Sequence, residues 1–337
     1  METLPEQITL AHGAGGKQTS ALIHQIFERH FKNTLLTADD AAVLPRPEHQ
    51  IAMSTDGFVV SPAFFPGGNI GELSICGTVN DLSCMGAKPL YLTCSFIIEE
   101  GLEVERLDQI AASMAETAEK VGAVLVAGDT KVVGKGQADQ VFITTTGVGD
   151  VVSQNPLSGA KAAPGDAVLV TGDVGRHGCA VLLSRDEYGI DAQVESDCAP
   201  LWKPVSAALK AAPDLHVIRD ATRGGVGTVL YEIAHQSHTG IRLKADAIPV
   251  DPSVAGVCGM LGLEPLYLAC EGRMVMIVPP EEAQAVIDAL AVFPDTRGIC
   301  QIGEVTAEEP ERVVMETEIG TQTYLPEPGT ELLPRIC

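Results

Sequence analysis

YLTCSFIIEEGLEVERLDQIAASMAETAEKVGAVLVAGDTKVV occupies residues 91–133, and QVFITTTGV follows at 140–148. The stretch changes its period several times. Tyr91–Ile98 is rich in aromatic and β-branched residues and stops at Glu99-Glu100-Gly101, the pattern of a strand and its exit. From Leu102 to Val121 the apolar residues Leu107, Ile110, Met114 and Val121 fall on one helical face. Ala123–Ala127 is a short apolar run, read as a buried strand ending in a tight turn at Gly128-Asp129-Thr130. Gln140–Val148 reads as another strand, with no helix before it. A strand–helix–strand unit followed directly by a further strand predicts mixed sheets. The fold class is therefore α+β rather than a Rossmann sheet, in which strand and helix alternate throughout.

The same reading extends outward. Leu22, Ile23, Ile26, Phe27 and Phe31 share one face of a helix within 15–31. Ile51–Met53 and Phe58–Val60 read as short strand segments flanking Ser54-Thr55-Asp56-Gly57. Asn69 caps a helix running through Leu73, Cys76 and Val79 toward Gly86. Residues 153–164 turn rich in Ser, Asn, Pro, Gly and Lys and mark a domain boundary. Beyond it, helices are expected at 176–185, 200–211, 226–237, 252–261 and 280–291. Strands are expected at 167–171, 241–244, 273–278, 299–305, 311–316 and 321–325. The chain divides into domains at 1–153 and 154–325 and a tail at 326–337. Gly128-Asp129 and Gly172-Asp173, each at a strand end, hint at an internal repeat.

Composition narrows the function classes. Hydrophobic residues make up 45% of the 337, aromatics only 4%, so the cores are aliphatic. A net charge of −23 excludes nucleic acid as the main partner, because phosphate contacts need clustered Lys and Arg. No apolar run reaches the length of a membrane span. The acidic start, Met-Glu-Thr-Leu-Pro-Glu, has no basic-then-apolar pattern of a secretory signal, so the expected location is cytoplasmic. Nine cysteines are present and no two are three apart, so no Cys-x-x-Cys knuckle or redox pair exists. Reduced thiols buried as small core residues are expected.

Several motifs carry chemistry. His12-Gly13-Ala14-Gly15-Gly16-Lys17-Gln18-Thr19 fails as a P-loop, with Ala11 and Gln18 at two required positions. It still precedes a helix, and is either an anion-wrapping segment or a plain lead-in. Asp39-Asp40, Asp56, Asn80-Asp81, Asp129 and Asp220 lie at expected strand ends or turns beside small residues. Alone, each reads as a cap or turn former; together they suit Mg2+ shared with phosphate oxygens. In Arg219-Asp220-Ala221-Thr222-Arg223-Gly224-Gly225-Val226-Gly227, three glycines before a helix offer N–H groups, and Arg and Thr offer further donors. Lys131, after a buried strand and a turn, suits a desolvated lysine. Glu271, between an apolar run and Gly272, suits a carboxyl whose burial raises its pKa toward that of a general acid or base. Lys131 solvating a loop and Glu271 capping a turn remain open alternatives. The final stretch, Pro326-Glu-Pro-Gly-Thr-Glu-Leu-Leu-Pro-Arg-Ile-Cys337, reads as an extended arm carrying a thiol, since its prolines donate no hydrogen bonds.

Taken together, His12-Gly-Ala-Gly-Gly16, Asp39-Asp-Ala-Ala-Val43, Ser54-Thr-Asp-Gly57, Asn80-Asp-Leu-Ser-Cys-Met-Gly-Ala87, Gly128-Asp-Thr-Lys131, Asp220-Ala-Thr-Arg-Gly-Gly225 and Pro334-Arg-Ile-Cys337 resemble the HypE family of hydrogenase maturation proteins, the carbamoyl dehydratases. The internal motifs are shared loosely with a wider superfamily: aminoimidazole ribonucleotide (AIR) synthetase, selenophosphate synthetase and thiamine monophosphate kinase. Pro-Arg-Ile-Cys narrows the resemblance to HypE. It covers essentially the whole chain.

The resemblance implies a two-domain PurM-like fold. The N-terminal domain binds ATP and forms a homodimer through its sheet, and a C-terminal α+β sandwich completes the site. It implies that the carbamoyltransferase HypF loads a carbamoyl group onto Cys337. ATP then drives dehydration of the thiocarbamate to a thiocyanate, and the cyanide passes to the HypC–HypD iron scaffold of the nascent [NiFe] centre. On this resemblance Cys337, Glu271 and Lys131 are the expected catalytic residues. His12, Gly13, Gly15, Gly16, Asp39, Asp129, Thr130, Thr222, Arg223, Gly224 and Gly225 are expected at the nucleotide. Asp40, Asp56, Asp81 and Asp220 are expected at Mg2+. The competing expectations are a small-molecule phosphotransferase of the same superfamily, which has no use for Cys337, and a nucleotide-gated scaffold carrying metal on it.

Overall fold

The computed structural model describes residues 4–37, 41–185, 187–317 and 319–327. It is built on two sheets. The first has four strands in the order β1-β6-β4-β5: β1 (Ile51–Phe58), β6 (Val141–Val151), β4 (Ala87–Glu99) and β5 (Val124–Val133). The β4–β5 pair is parallel and the other two are antiparallel. Helices α3 (Ile70–Cys84) and α4 (Val104–Val121) pack against one face. A small hairpin, β2 (Phe64–Phe65) with β3 (Gly68–Asn69), leads into α3. Asn69 caps α3 as expected, its side chain accepting from the N–H groups of Gly71 and Glu72.

The other face of this sheet is open. Ile51 is 60% exposed, Met53 71% and Ile97 39%, and Thr55, Thr93 and Thr144 lie beside them. Strand alternation accounts for this: residues one step out of phase, such as Phe58, Leu92, Phe96 and Ile143, are buried under α3 and α4.

Three local expectations are corrected. Ser54-Thr55-Asp56-Gly57 is not a turn but the second half of β1, paired in register with Gly147, Thr146, Thr145 and Thr144. The cross-strand threonines compensate for a sequence that is locally poor in strand formers; the hydroxyls of Thr55 and Thr146 lie 2.8 Å apart. Gly128-Asp129-Thr130 is likewise no turn, but the middle of β5, opposite Cys94, Ser95 and Phe96. The helix expected over 15–31 is broken into α1 (Lys17–Leu22), a π-helical turn at Ile23–Phe27 and α2 (Glu28–Phe31).

The second sheet has seven strands in the order β13-β12-β9-β11-β7-β10-β8. These are β13 (Gln322–Tyr324), β12 (Val313–Glu316), β9 (Gly240–Lys244), β11 (Cys300–Thr306), β7 (Ala167–Val170), β10 (Met274–Val278) and β8 (Val217–Asp220). Its central strands read as unbroken apolar runs because both faces are covered. Met274, Met276 and Val278 join the core that holds residues of α6 (Trp202–Ala211) and α9 (Ala283–Leu290). Val275 and Ile277 join a second core against α7 (Gly225–Ser237). Helices α5 (Arg176–Ser184) and α8 (Pro252–Leu261) pack on each other beside it.

The two halves meet at α3. Thirteen of its fifteen residues are buried, because it lies between the first sheet on one side and α6 and β8 on the other. The helix thus carries Asn80 and Asp81 into the junction. Among the described residues no helix is long and apolar enough to cross a membrane.

Candidate active site

Asp56, Asp81, Asp220 and Glu271 come from four places in the chain and face one another at this junction. Asp56 sits on the covered face of β1, close enough to α3 that a Cβ on Gly77 would lie 3.8 Å from its Oδ2. Asp81 is on α3 and accepts the Ser54 hydroxyl at 2.5 Å. Asp220 ends β8, opposite Met274 at the start of β10, and Glu271 lies just before that strand. The strand β8, absent from the sequence reading, is what delivers Asp220.

The electrostatics are those of crowded, partly desolvated carboxyls. Burial, then the neighbouring Asp81 carboxylate and its hydrogen bond, push Asp56 up to about 6, with Arg223 opposing. Burial and Asp81 push Asp220 up to about 7, with Arg219 opposing. Glu271, 3% exposed, is raised well above the usual carboxyl range by burial first, then by Asp220, Asp197, Asp56 and Asp81. Its Oε1 is buried and has no hydrogen-bond partner.

A raised carboxyl pKa has a definite cost. The folded state prefers the proton, so stability is intact below the unfolded value near 3.8 and declines as pH rises toward about 7 at Asp220. Asp220→Asn should therefore melt higher than the parent at pH 8 in EDTA, with the gap closing by pH 4. Thermal melts at the two pH values check this; an equal gap at both would show that charge is not the cause.

Glu271 is held by its backbone. Asp197, whose side chain is fully buried, accepts from the N–H of Glu271 at 3.3 Å, of Gly272 at 3.2 Å and of His177 at 3.1 Å. Arg273 lies 3.8 Å from Asp197 and is itself paired with Asp173 at 2.7 Å. The Glu271 carbonyl accepts from the N–H of Ala199 at 3.4 Å and from Asn80 Nδ2 at 3.4 Å. Asn80 also donates to the Ala199 carbonyl at 3.0 Å and accepts from the Leu201 N–H at 2.8 Å. Asn80 thus ties the helix bearing Asp81 to the loop bearing Glu271. Neither Asn80 nor Asp197 stood out in the sequence as a site residue. Asp197 has no motif around it, and Asn80 was overshadowed by Asp81.

Thr222 to Gly225 lead into α7. Gly224 and Gly225 both have positive φ, 77° and 62°. A Cβ at Gly225 would come within 2.4 Å of the Leu266 carbonyl, so the glycine pair lets this turn lie against the 266–268 segment. Arg223 is exposed and its charge acts on Asp56. Arg219, a phosphate donor in the sequence reading, is instead engaged by Glu232 on α7.

The remaining expected residues form a second group. Leu10–Gly13 is a 3-10 turn against β5; a Cβ on Gly13 would meet Val132 N at 2.8 Å. Gly15 and Gly16 face open space. His12 is 1% exposed and turned inward, its Nδ1 3.0 Å from both the N–H and the hydroxyl of Thr9. A groove of about 460 Å³ runs from Thr19 and Ser20 past Phe27 and Ala42 to Asp129 and Thr130. Lys131 departs from expectation: it is exposed, not desolvated, and paired with Asp129 at 2.6 Å. The ion pair holds the Asp129 carboxyl below its usual value. Lys131 is paired in register with Ile97 on the open sheet face, and β5 is the edge opposite β1, so the fold does not bring it to Glu271 within the chain. Asp39, Asp40 and Cys337 lie outside the described residues.

Among the described residues, no three acidic, histidine or cysteine side chains converge tightly enough to cage a metal. Asp81 lies close enough to Asp56 to raise it, and the charges of Asp56 and Asp81 both act on Asp220. Hard oxygens in that arrangement fit Mg2+, which commonly takes one or two carboxylates and completes its shell with phosphate and water.

Comparison with known proteins locates the chain. Residues 38–151 match the N-terminal domain of AIR synthase related proteins and residues 163–316 match their C-terminal domain. The chain is 43% identical over 336 residues to the carbamoyl dehydratase HypE of Rhodobacter capsulatus, covering 98% of each. It is 43% identical to the HypE of Escherichia coli, covering 98% of this chain and 99% of that one. A crystal structure of HypE in complex with ATP superposes with a TM-score of 0.93 at 43% identity, covering 97% of this chain and 99% of that one. A HypE–HypF complex superposes at 0.80 with 42% identity, covering 91% of this chain and 100% of that one. A thiamine-monophosphate kinase from Stenotrophomonas maltophilia, at 18% identity and a TM-score of 0.64, covers 91% of this chain and 97% of that one and shares the fold alone.

Proposed function

The chain belongs to the HypE family of carbamoyl dehydratases among the AIR synthase related proteins, and on that premise we propose that it converts an S-carbamoyl group on Cys337 to a thiocyanate at the expense of ATP. The observation that carries this reading is Glu271: a buried carboxyl with an unpartnered oxygen, acted on by Asp56, Asp81, Asp197 and Asp220 and anchored by its own backbone.

The chemistry asks for such a group. An amide oxygen leaves poorly; phosphorylated by ATP, it leaves as phosphate. The two N–H protons must depart as the C≡N bond forms, so the balance is thiocarbamate plus ATP to thiocyanate, ADP, phosphate and a proton. Glu271 accepts a proton from that nitrogen. Asp56, Asp81 and Asp220, with Asp40, would hold Mg2+, which when bound offsets the phosphate charge. The 12–16 loop takes the nucleotide, with Asp129 and Thr130 along the adjoining groove, and Asp39 as a further contact. Thr222, Arg223, Gly224 and Gly225 supply donors to its phosphates.

Two chains pair through the open face of the first sheet, whose exposed Ile51, Met53 and Ile97 support that role. Lys131 stands on the same face and supplies the cation for the charge that develops during transfer. HypF is the carbamoyl donor partner, HypC–HypD the cyanide acceptor for [NiFe] hydrogenase maturation, and the cytoplasm the site of action.

Intact-mass measurement tests the reading. After incubation with HypF, carbamoyl phosphate and ATP, the chain should gain a carbamoyl group on Cys337 and then lose one water. A Cys337→Ser variant should do neither. ATP turnover on a free acceptor, undiminished in that variant, would instead support a phosphotransferase.

A further inference from the structure

We propose that Arg273 is a positioning residue for the dehydration, clamping the Glu271-Gly272 loop at its exit; this deepens the dehydratase reading and rests on it. Glu271 and Gly272 leave the β8–β10 ladder between two bonds that stay in it. Cys270 N–H donates to the Ala221 carbonyl at 2.9 Å, and Ala221 N–H donates to the Arg273 carbonyl at 3.1 Å. The two looped-out N–H groups go to the Asp197 carboxylate instead. The Gly272 carbonyl goes to Arg273, whose Nη1 donates to it at 2.9 Å. Both backbone polar groups of Gly272 are thus held, by different partners, one residue from the Glu271 carboxyl.

The guanidinium is itself aimed. Its Nε donates to the Asp173 carbonyl at 2.9 Å, its Nη2 to the Asp173 carboxylate at 2.7 Å, and Nη1 also to the Asp295 carbonyl at 3.1 Å. Gly172 makes room for it: a Cβ there would stand 2.6 Å from Nε and 2.9 Å from Cζ. Gly172-Asp173, which the sequence offers only as half of an internal echo, is therefore the seat of this side chain. Asp173 is steadied in turn by Arg176 Nε at 2.5 Å, and Arg176 reaches Asp251, the cap of α8, at 3.0 Å. The next residue on α5, His177, donates its N–H to Asp197, which closes a ring of contacts around the loop. A planar fork serves acceptors on three segments at once; the ammonium of a lysine, a single point of three donors, does not.

Two variants of the full chain test this. Arg273→Lys keeps a charge beside Asp173 and Asp197 but loses the fork; Asp173→Asn keeps Arg273 but loosens its seat. Each should slow single-turnover water loss from carbamoylated Cys337 by about 10–100-fold, the scale of a small misplacement of a reacting group. ATP affinity in Mg2+ should stay within about threefold, since the loss is of aim and not of binding. In a Glu271→Gln background, Arg273→Lys should slow the residual reaction by less than about twofold, because a residue that acts through Glu271 has nothing left to aim. Hydrogen exchange read by mass should show lost protection over residues 270–273 in both single variants. Parental water loss in Arg273→Lys would overturn the proposal. So would unchanged exchange, or an equal slowing in the Glu271→Gln background, which a merely structural role predicts. Failure of the parental chain to lose water would strike the dehydratase reading instead, with exchange still deciding the clamp.

Discussion

Glu271→Gln should leave the protein folded and able to bind ATP, yet slow loss of water from carbamoylated Cys337 by about 10²–10⁴-fold, the usual contribution of a positioned general acid or base. The substitution keeps the shape of the side chain and the backbone bonds to Asp197, Asn80 and Ala199, since those are made by the peptide and not by the carboxyl. What it removes is a group able to take a proton. ATP affinity, measured by equilibrium binding in Mg2+, should stay within about threefold, because the expected phosphate donors lie elsewhere, at 222–225 and in the 12–16 loop. The carbamoyl adduct should accumulate, which intact mass reads directly. A variant that still loses water within about tenfold of the parental rate would remove Glu271 from the chemistry and leave it a buried acid of unknown purpose.

Much of this architecture was legible before any coordinates, and the parts that were not share a cause. Asn69 as a cap, α4 with its buried Leu107, Ile110 and Met114, and the apolar β10 all follow from local pattern, and all hold. The errors fall where a strand is stabilised by distant residues. Ser54-Thr55-Asp56-Gly57 has the composition of a turn, and only the threonines of β6, some 90 residues on, make it a strand. Gly128-Asp129-Thr130 is drawn straight by β4 in the same way. At the site, the glycines and aspartates announced themselves by density, whereas Asp197 and Asn80 could not. Their function is to bond the backbone of Glu271, and a backbone partner leaves no signature at either end of the chain. The exposure of Lys131 is hidden from the sequence for a related reason. Its exposure depends on which face of β5 is covered, and that is decided by α3 and α4 packing on the other side.

The same backbone dependence makes Gly272→Ala a strongly damaging small substitution. A Cβ at position 272 would stand 1.8 Å from the Asp197 carbonyl oxygen and 3.2 Å from the Ala199 side chain. The first of these is backbone, and it cannot swing aside. The Asp197 carboxylate is bonded to the N–H groups of His177, Glu271 and Gly272 itself. Relief of the clash requires the 197–199 segment and the 271–272 loop to separate. That would break the bond from Ala199 N–H to the Glu271 carbonyl and the bonds from Asn80 that span the same gap. Overpacking of this kind costs about 1–3 kcal/mol, and buried donors left without partners add about 1–3 kcal/mol each. The variant should therefore lose about 3 kcal/mol or more of stability, read as a lower urea midpoint. Any fraction that folds should bind ATP while dehydrating Cys337 poorly, because the loop that aims Glu271 has been pushed off Asp197. Glu271→Gln and Gly272→Ala thus separate two demands on one loop: the first removes the proton acceptor and keeps the fold, the second keeps the acceptor and removes its aim. An unchanged urea midpoint in Gly272→Ala would show that the 197–199 segment yields freely, and with it the argument that Asp197 fixes Glu271 would fail.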